Sequence, residues 1–479
     1  MIKLNTDCLN LIFNELQKDK NSLYSCLLVN KEWCNIVVPI LWKEVSWYVD
    51  DKSEKKLFNT ILSCLSLTSK KLLNDNNIKL PIIKKPPIFN YISFCEFPEA
   101  EIVDNIIEMV FEELNDNDEN DEDKRNLLEQ EIYKLFVSQC EKIKELSWET
   151  SQPLPLFPGA LKCFSKLKSL DIDMEYIDSK SLYEMSKISK NLYELFIENF
   201  SNDSGLISLI DAQKNLKSIS FYSYKNKEGN CKELSKAIAR KSNTINFISL
   251  TSISTITPTF LTSLNNLKFI SIYNREKYDE TREEIKEFQK YLSISEFPNL
   301  RYLLINRLSC FKEISMLIEK TKGNIINVEI SDSDKTSKNT GILIKSISNN
   351  CPRIKILSTY LESIDFIHVK LLLLNCRDLE SLRFYSLNIN NENDNIGDEL
   401  LDILTKYSPN SLTRIRISGS WKYSINIFEQ FFDSCRERIL SYFAIIPDNI
   451  INYIKDDHKS IIRKYIREGV IKSSNYDFY

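Results

Sequence analysis

The chain has 479 residues, 43% hydrophobic and 27% charged, with a net charge of −4, which calls for two or three domains or one elongated array and excludes the disordered and membrane-embedded classes. The near balance of charge also argues against a generally nucleic-acid-binding surface. Two histidines, His368 and His458, and eight glycines that stand singly leave no His-based triad, multi-histidine zinc site, dinucleotide fingerprint or phosphate-cradling loop, so the expectation is a non-enzyme without catalytic residues, cofactor or metal.

From Met1 the chain soon turns polar and does not continue into the apolar core of a secretory leader. The twelve cysteines contain no Cys-x-x-Cys pair, and reduced thiols in a cytoplasmic or nuclear protein are expected. Residues 4 to 45 then carry a dense apolar pattern with helical spacing. Cys8, Leu9, Ile12, Phe13 and Leu16 fall on one stripe, with Asn5 or Thr6 placed to cap the helix start. Asn21 or Ser22 caps a second helix through Leu23, Cys26 and Leu27, and Trp33, Val37, Ile40 and Leu41 predict a third, interrupted by Pro39. Three short helices make a very small core, and an apolar stripe with little room for internal burial invites a partner.

The ordered series Leu4-Asn5-Thr6-Asp7-Cys8-Leu9, Ile12-Phe13, Leu27-Leu28-Val29-Asn30-Lys31-Glu32-Trp33 and Leu41-Trp42 resembles an F-box over about forty residues, although the family usually has Leu-Pro where this chain has Leu4-Asn5. The resemblance implies docking on a Skp-type adaptor and, through it, on cullin and RING subunits of a ubiquitin ligase. By position the contact would fall to Leu4, Cys8, Leu9, Ile12, Phe13, Leu27, Val29 and Trp33.

Residues 46–140 read as a helical connector, with a helix around Leu57, Ile61, Leu62 and Leu65, prolines at 81, 86 and 87, and a disordered acidic loop over 112–123. From about residue 140 a signature of apolar, two variable, apolar, variable, apolar recurs. Its twelve instances begin at Ile143, Leu167, Leu192, Leu216, Ile245, Leu267, Leu300, Ile325, Ile354, Leu379, Leu412 and Leu440. The mean step of about 27 residues lies in the range of leucine-rich repeats. Alternation within the signature predicts a half-buried strand, and the helical spacing of Leu182, Met185 and Ile188, or of Phe428, Phe431 and Phe432, predicts a helix between strands. Cys140, Cys351 and Cys376 each stand three positions before a repeat, and Cys351-Pro352-Arg353-Ile354 resembles the cysteine-containing leucine-rich-repeat class, which often accompanies an F-box. Residues 331–340 and 388–398 read as insertions.

The expected fold is therefore α/β: a short N-terminal three-helix F-box (1–45), the connector (46–140), an irregular leucine-rich-repeat solenoid with its parallel β-sheet on the concave face and helices on the convex face (141–446), and a capping segment (447–479). The variable strand positions form the surface for a protein substrate. Asp171, Asp173, Glu194 and Glu198 make its early part acidic, and Arg383, Arg414 and Arg416 make its late part basic. Tyr222, Tyr273, Tyr360 and Tyr385 all follow the third apolar residue of their repeats, where a large ring with a polar tip suits an interface.

Other chemistry is weak. Cys376-Arg377-Asp378 could be read as a nucleophile beside a carboxylate, but its place before a strand points to a buried structural thiol. Asp456-Asp457-His458 lacks the spaced donors of a metal site. The strongest apolar run, Val369 to Leu374, is far shorter than the ~18 residues that span a bilayer, and the basic tail around Arg463, Lys464, Arg467 and Lys472 fits an amphipathic cap better than a membrane anchor. The expected function is substrate recognition for a cullin-RING ligase, with neither nucleic acid nor membrane as partner. The alternative is a leucine-rich-repeat interaction scaffold with a degenerate F-box and no role in ubiquitylation.

Overall fold

A computed structural model describes all residues except 1–4, 44–50, 81–86, 113–120, 224–230, 276–282, 332–338, 387–395, 420, 447–453 and 477–479. The chain divides into two compact units: Met1–Glu198 with Asp203–Leu216, and Asn199–Asn202 with Lys217–Tyr479.

The first unit opens with α1 (Thr6–Glu15), α2 (Lys20–Leu27) and α3 (Lys31–Lys43). Short polar side chains start each of them: Asn5 accepts from the Asp7 amide, Asp19 from Ser22 and Asn30 from Trp33, meeting amides that have no partner in the first turn. The third helix differs from expectation, because it runs through Pro39 without a break. Four more helices follow, α4 (Asp51–Ser63), α5 (Leu67–Asp75), α6 (Ala100–Glu112) and α7 (Asp121–Gln139). The acidic segment is thus helical at both ends: Glu112 closes one helix and Asp121 opens the next, where the unpaired amides of a first turn favour the carboxylates of Glu122 and Asp123. Its middle lies outside the described residues.

Strand and helix then alternate: β1 (Glu145–Trp148), α8 (Ala160–Phe164), β2 (Ser169–Asp173), α9 (Ser179–Ile188), β3 (Glu194–Glu198) and α10 (Ser204–Ala212). The three strands pair in parallel and in chain order.

The second unit continues the alternation through β4 (Ser218–Tyr222), α11 (Lys232–Arg240), β5 (Phe247–Leu250), β6 (Phe269–Tyr273), α12 (Glu283–Ile294), β7 (Tyr302–Asn306), α13 (Phe311–Glu319) and β8 (Asn327–Ser331). It goes on with α14 (Thr340–Asn350), β9 (Ile356–Leu361), α15 (Phe366–Asn375), β10 (Ser381–Ser386), α16 (Ile396–Tyr407), β11 (Arg414–Ser418), α17 (Ile425–Ser434), β12 (Tyr442–Ile446) and α18 (Asp456–Arg467). Each of its strands pairs in parallel with the next in chain order. This is the architecture of a leucine-rich-repeat solenoid, since a strand that returns parallel beside its predecessor needs a crossover, here mostly a helix.

Among the described residues there are twelve strands, and each falls on a predicted repeat. The second and third apolar positions, such as Leu170 and Ile172 or Leu382 and Phe384, point into the core. In β9 the third slot holds Thr359, buried with its hydroxyl unpartnered. The cysteines before repeats sit where helices end: Cys351 and Cys376 cap α14 and α15, and the Cys376 thiol donates to the Cys351 carbonyl at 3.4 Å. Ser331 ends a strand and Thr340 starts a helix, while Ile396 to Asp398 already belong to α16; the remainder of both expected insertions, apart from Asn339, lies outside the described residues. At the C-terminus, Ile461, Ile462 and Tyr465 of α18 are buried, Ile471 bridges to Leu440 just before β12, and Ser474 bridges to Phe443 within it. The apolar side of the basic tail is thereby used within the fold.

Candidate protein-interaction surfaces

On α1 two stripes separate. Leu9 and Phe13 join Leu23 and Val37 in the core of the helical unit, with Leu16, Leu27 and Trp33 packed against it, and the Phe13 and Trp33 rings meet edge to face at 5.1 Å. Cys8, Leu11 and Ile12, one helical turn apart on the other side, face solvent. Between α2 and α3 the turn lifts Leu28 and Val29 into solvent while its backbone is tied down by amide bonds to Ser25 and Cys26. Leu28 is 88% exposed and Leu11 69%, against 1% for Phe13.

Of the eight positions assigned to an adaptor by resemblance, Cys8, Ile12 and Val29 are therefore free to touch one. Leu9 and Phe13 are not, because they close the unit's own core, and Leu27 and Trp33 are partly enclosed by it. Leu4 lies outside the described residues. Leu11 and Leu28, large apolar residues outside the buried stripe, are exposed as well.

The open side of the repeats is built from alternate strand residues, which register pairing sorts into rows. In the first unit, Asp173 stands opposite Glu198, while Glu194 lies opposite Ser169 and Asp171 opposite Phe196. Burial, and then the nearby Glu149 carboxylate, hold Asp171 above its ordinary value. The four predicted acids thus share one strand face, where like charges crowd.

In the second unit, Tyr222, Tyr273, Tyr360 and Tyr385 do occupy the same row position, the fifth of their strands. They do not form one stripe. Tyr360 and Tyr385 are neighbours at 5.2 Å, but Tyr360 is buried between Tyr385 and Phe311 and cannot offer a surface. Asn306 and Ser331 stand in the row beyond Tyr273, and Arg307 lies over the Tyr273 ring at 5.2 Å. A different row, the first open position, carries an aromatic ladder that sequence reasoning missed: Phe247 stacks on Phe269 at 4.3 Å, and Phe269 meets Tyr302 at 5.7 Å. Reading the residue before each second apolar position would have found it. The row between begins with Ser220, Ser249 and Ser271 and leads to Arg383 and Arg416, which are register partners; Arg414 lies on the same face two residues before Arg416.

The Cys376 thiol and the His458 ring are enclosed. Burial pushes the Cys376 thiol up to about 12, far from the thiolate that covalent chemistry needs. His458 is buried with both ring nitrogens engaged: Nδ1 accepts from the Lys455 amide, so Nε2 donates to the Tyr423 carbonyl. Among the described residues no helix is long and apolar enough to cross a membrane, and no three His, Cys, Asp or Glu side chains stand close enough together to hold a metal ion.

No family model matches the chain, and no curated protein matches it. Among solved structures, it is similar to the complex of Rad7 and Elc1 in yeast at 12% identity, covering 84% of this chain and 93% of that chain with a TM-score of 0.35. A second is the leucine-rich repeat-containing protein LegL7 from Legionella pneumophila, at 12% identity, covering 70% of this chain and 93% of that chain with a TM-score of 0.28.

Proposed function

We propose that this chain is the substrate-recognition subunit of a cullin-RING ubiquitin ligase, docking a Skp-type adaptor through its N-terminal helices and holding a protein substrate on the strand face of its repeats. The observation that carries the reading is the exposure of Leu11, Ile12, Leu28 and Val29 on a small helical unit whose core is already closed by Leu9, Phe13, Leu23 and Val37. Large apolar side chains left in water on a domain this small favour a partner that covers them, each fully buried leucine contributing about 1.5–3 kcal/mol. Asn5 supports the reading too: its φ of −64° is the value that the proline usual at this point would impose, and its side chain caps α1 besides.

The chain would act by position. With the adaptor fixed to one part and the substrate to another, the ligase's conjugating machinery meets the substrate at a raised effective concentration, and no group of this chain takes part in bond making. Co-expression with a Skp-type adaptor and size-exclusion chromatography test the docking. The two proteins should elute together in equal amounts, and Leu11→Asp with Leu28→Asp should abolish co-elution while leaving the circular dichroism spectrum unchanged. Separate elution of the two folded wild-type proteins, or co-elution that survives both substitutions, would overturn the assignment.

A further inference from the structure

Arg383 and Arg416 are register partners on adjacent parallel strands, and Arg414 precedes Arg416 by two residues on the same face of β11. Strand geometry places neighbouring strands ~4.8 Å apart and alternate residues ~6.6 Å apart, so three guanidinium groups share one small area. Among the described residues, none of the three guanidinium groups has an ion-pair or hydrogen-bond partner. The nearby carboxylates are taken: Glu380 by Lys355 at 2.7 Å, and Glu329, on a strand two removed from β10, by the Asn327 amide at 2.9 Å. Arg416 Nε is moreover shut off from solvent without an acceptor, so no group inside the fold offsets the charge of this guanidinium. Three like charges gathered with no carboxylate bonded to them disfavour the empty state and favour an anion.

We infer that Arg383, Arg414 and Arg416 form a recognition site for an extended acidic segment of a protein partner, one with carboxylates at alternate positions. An extended chain repeats its side chains on one face every ~6.6 Å, the spacing of Arg414 and Arg416 along β11, and each planar guanidinium can take a carboxylate by two parallel hydrogen bonds. Three positive charges also exceed what a single phosphate group would neutralise. Tyr442, in register with Arg414, and Tyr385, two residues beyond Arg383, border the cluster and are partly exposed, giving the segment ring surface beside its charges. The site rests on the reading of the strand face as the partner-binding surface and gives that partner a chemistry.

The test uses the full chain and a fluorescein-labelled peptide alternating serine and glutamate, followed by fluorescence anisotropy. Binding should weaken steeply with added salt, fall at least tenfold when glutamine replaces glutamate in the peptide, and fall at least tenfold in the Arg383→Ala, Arg416→Ala double variant. Arg414→Ala, at an exposed position where folding is not at stake, should weaken it several-fold and decides the matter if the double variant melts early. Equal binding of the glutamine peptide, unchanged binding by Arg414→Ala, or displacement of the peptide by inorganic phosphate at matched ionic strength would each overturn the site. Adaptor co-elution, measured on the same samples, separates the two readings. Peptide bound without adaptor overturns docking and leaves the site, and adaptor bound without peptide does the reverse.

Discussion

At the scale of single residues, side chains and backbone torsions that look unremarkable in the sequence carry specific duties. Asn5 accepts a hydrogen bond from the Asp7 amide at 3.3 Å, so Asn5→Ala should destabilise α1 by about 1 kcal/mol, seen as faster amide exchange in its first turn. Gly159 has φ +95°, and a Cβ there would stand 2.7 Å from the Val137 carbonyl oxygen and 2.8 Å from Ser138 Cα, both backbone atoms of α7. Gly159→Ala should therefore cost about 1–3 kcal/mol from the torsion alone, with the clash added, and lower the urea midpoint of the first unit. Cys95, Cys140, Cys163, Cys231, Cys310, Cys351, Cys376 and Cys435 are buried, whereas Cys8 is exposed and Cys26, Cys34 and Cys64 are partly so. A maleimide should label at most those last four in the native protein, and all twelve cysteines of the chain after denaturation. Prompt native labelling of Cys376 would revive the cysteine chemistry that its burial argues against.

At the scale of elements, helical spacing in the sequence announced α1 and α3 but not which apolar residues each would bury. Proline removes the bond to the carbonyl four residues back and its ring crowds that carbonyl, together about 3 kcal/mol, and the anchoring of Val37 and Val38 in the core offsets the cost, so α3 passes through Pro39. The last helix shows how an amphipathic tail is held. Tyr465 is buried among Phe432 and its neighbours and donates to Asp433 at 2.7 Å, while Arg436 bridges Asp433 and Glu468. The Tyr465 hydroxyl holds the Asp433 carboxyl below its ordinary value, with Arg436 adding to it against a smaller opposing effect of burial. A carboxyl with a lowered folded-state pKa contributes stability above the ordinary carboxylate range and loses it as pH falls through the lowered value. Exchange protection of α18 should accordingly fall below about pH 4, and Asp433→Asn should flatten that dependence while weakening the helix's attachment at neutral pH. An α18 equally protected across that range would show that Asp433 does not anchor it.

At the scale of the whole molecule, the periodic signature decided most of the architecture. A repeat that buries two residues per strand and returns through a connection allows parallel strands in chain order and little else, so all twelve strands among the described residues are legible in the sequence. Charge on the strand faces was legible as well, because a strand's alternation assigns its variable residues to the open side. What local pattern could not say is which open residues are neighbours. That depends on register between strands some 22 to 33 residues apart, since the repeat steps vary over that range, and register turned a supposed tyrosine stripe into one adjacent pair, with Tyr360 buried beneath a partly exposed Tyr385, and two separate rings. It also brought together Phe247, Phe269 and Tyr302, and set Arg383 beside Arg416. The same limit applies to the helical unit. Sequence alone determined that an apolar excess exists there and what family it resembles; only the packing of three helices decided that Leu9 and Phe13 turn inward while Leu11 and Leu28 stay in water, because burial is a property of what lies opposite a side chain and not of the side chain itself.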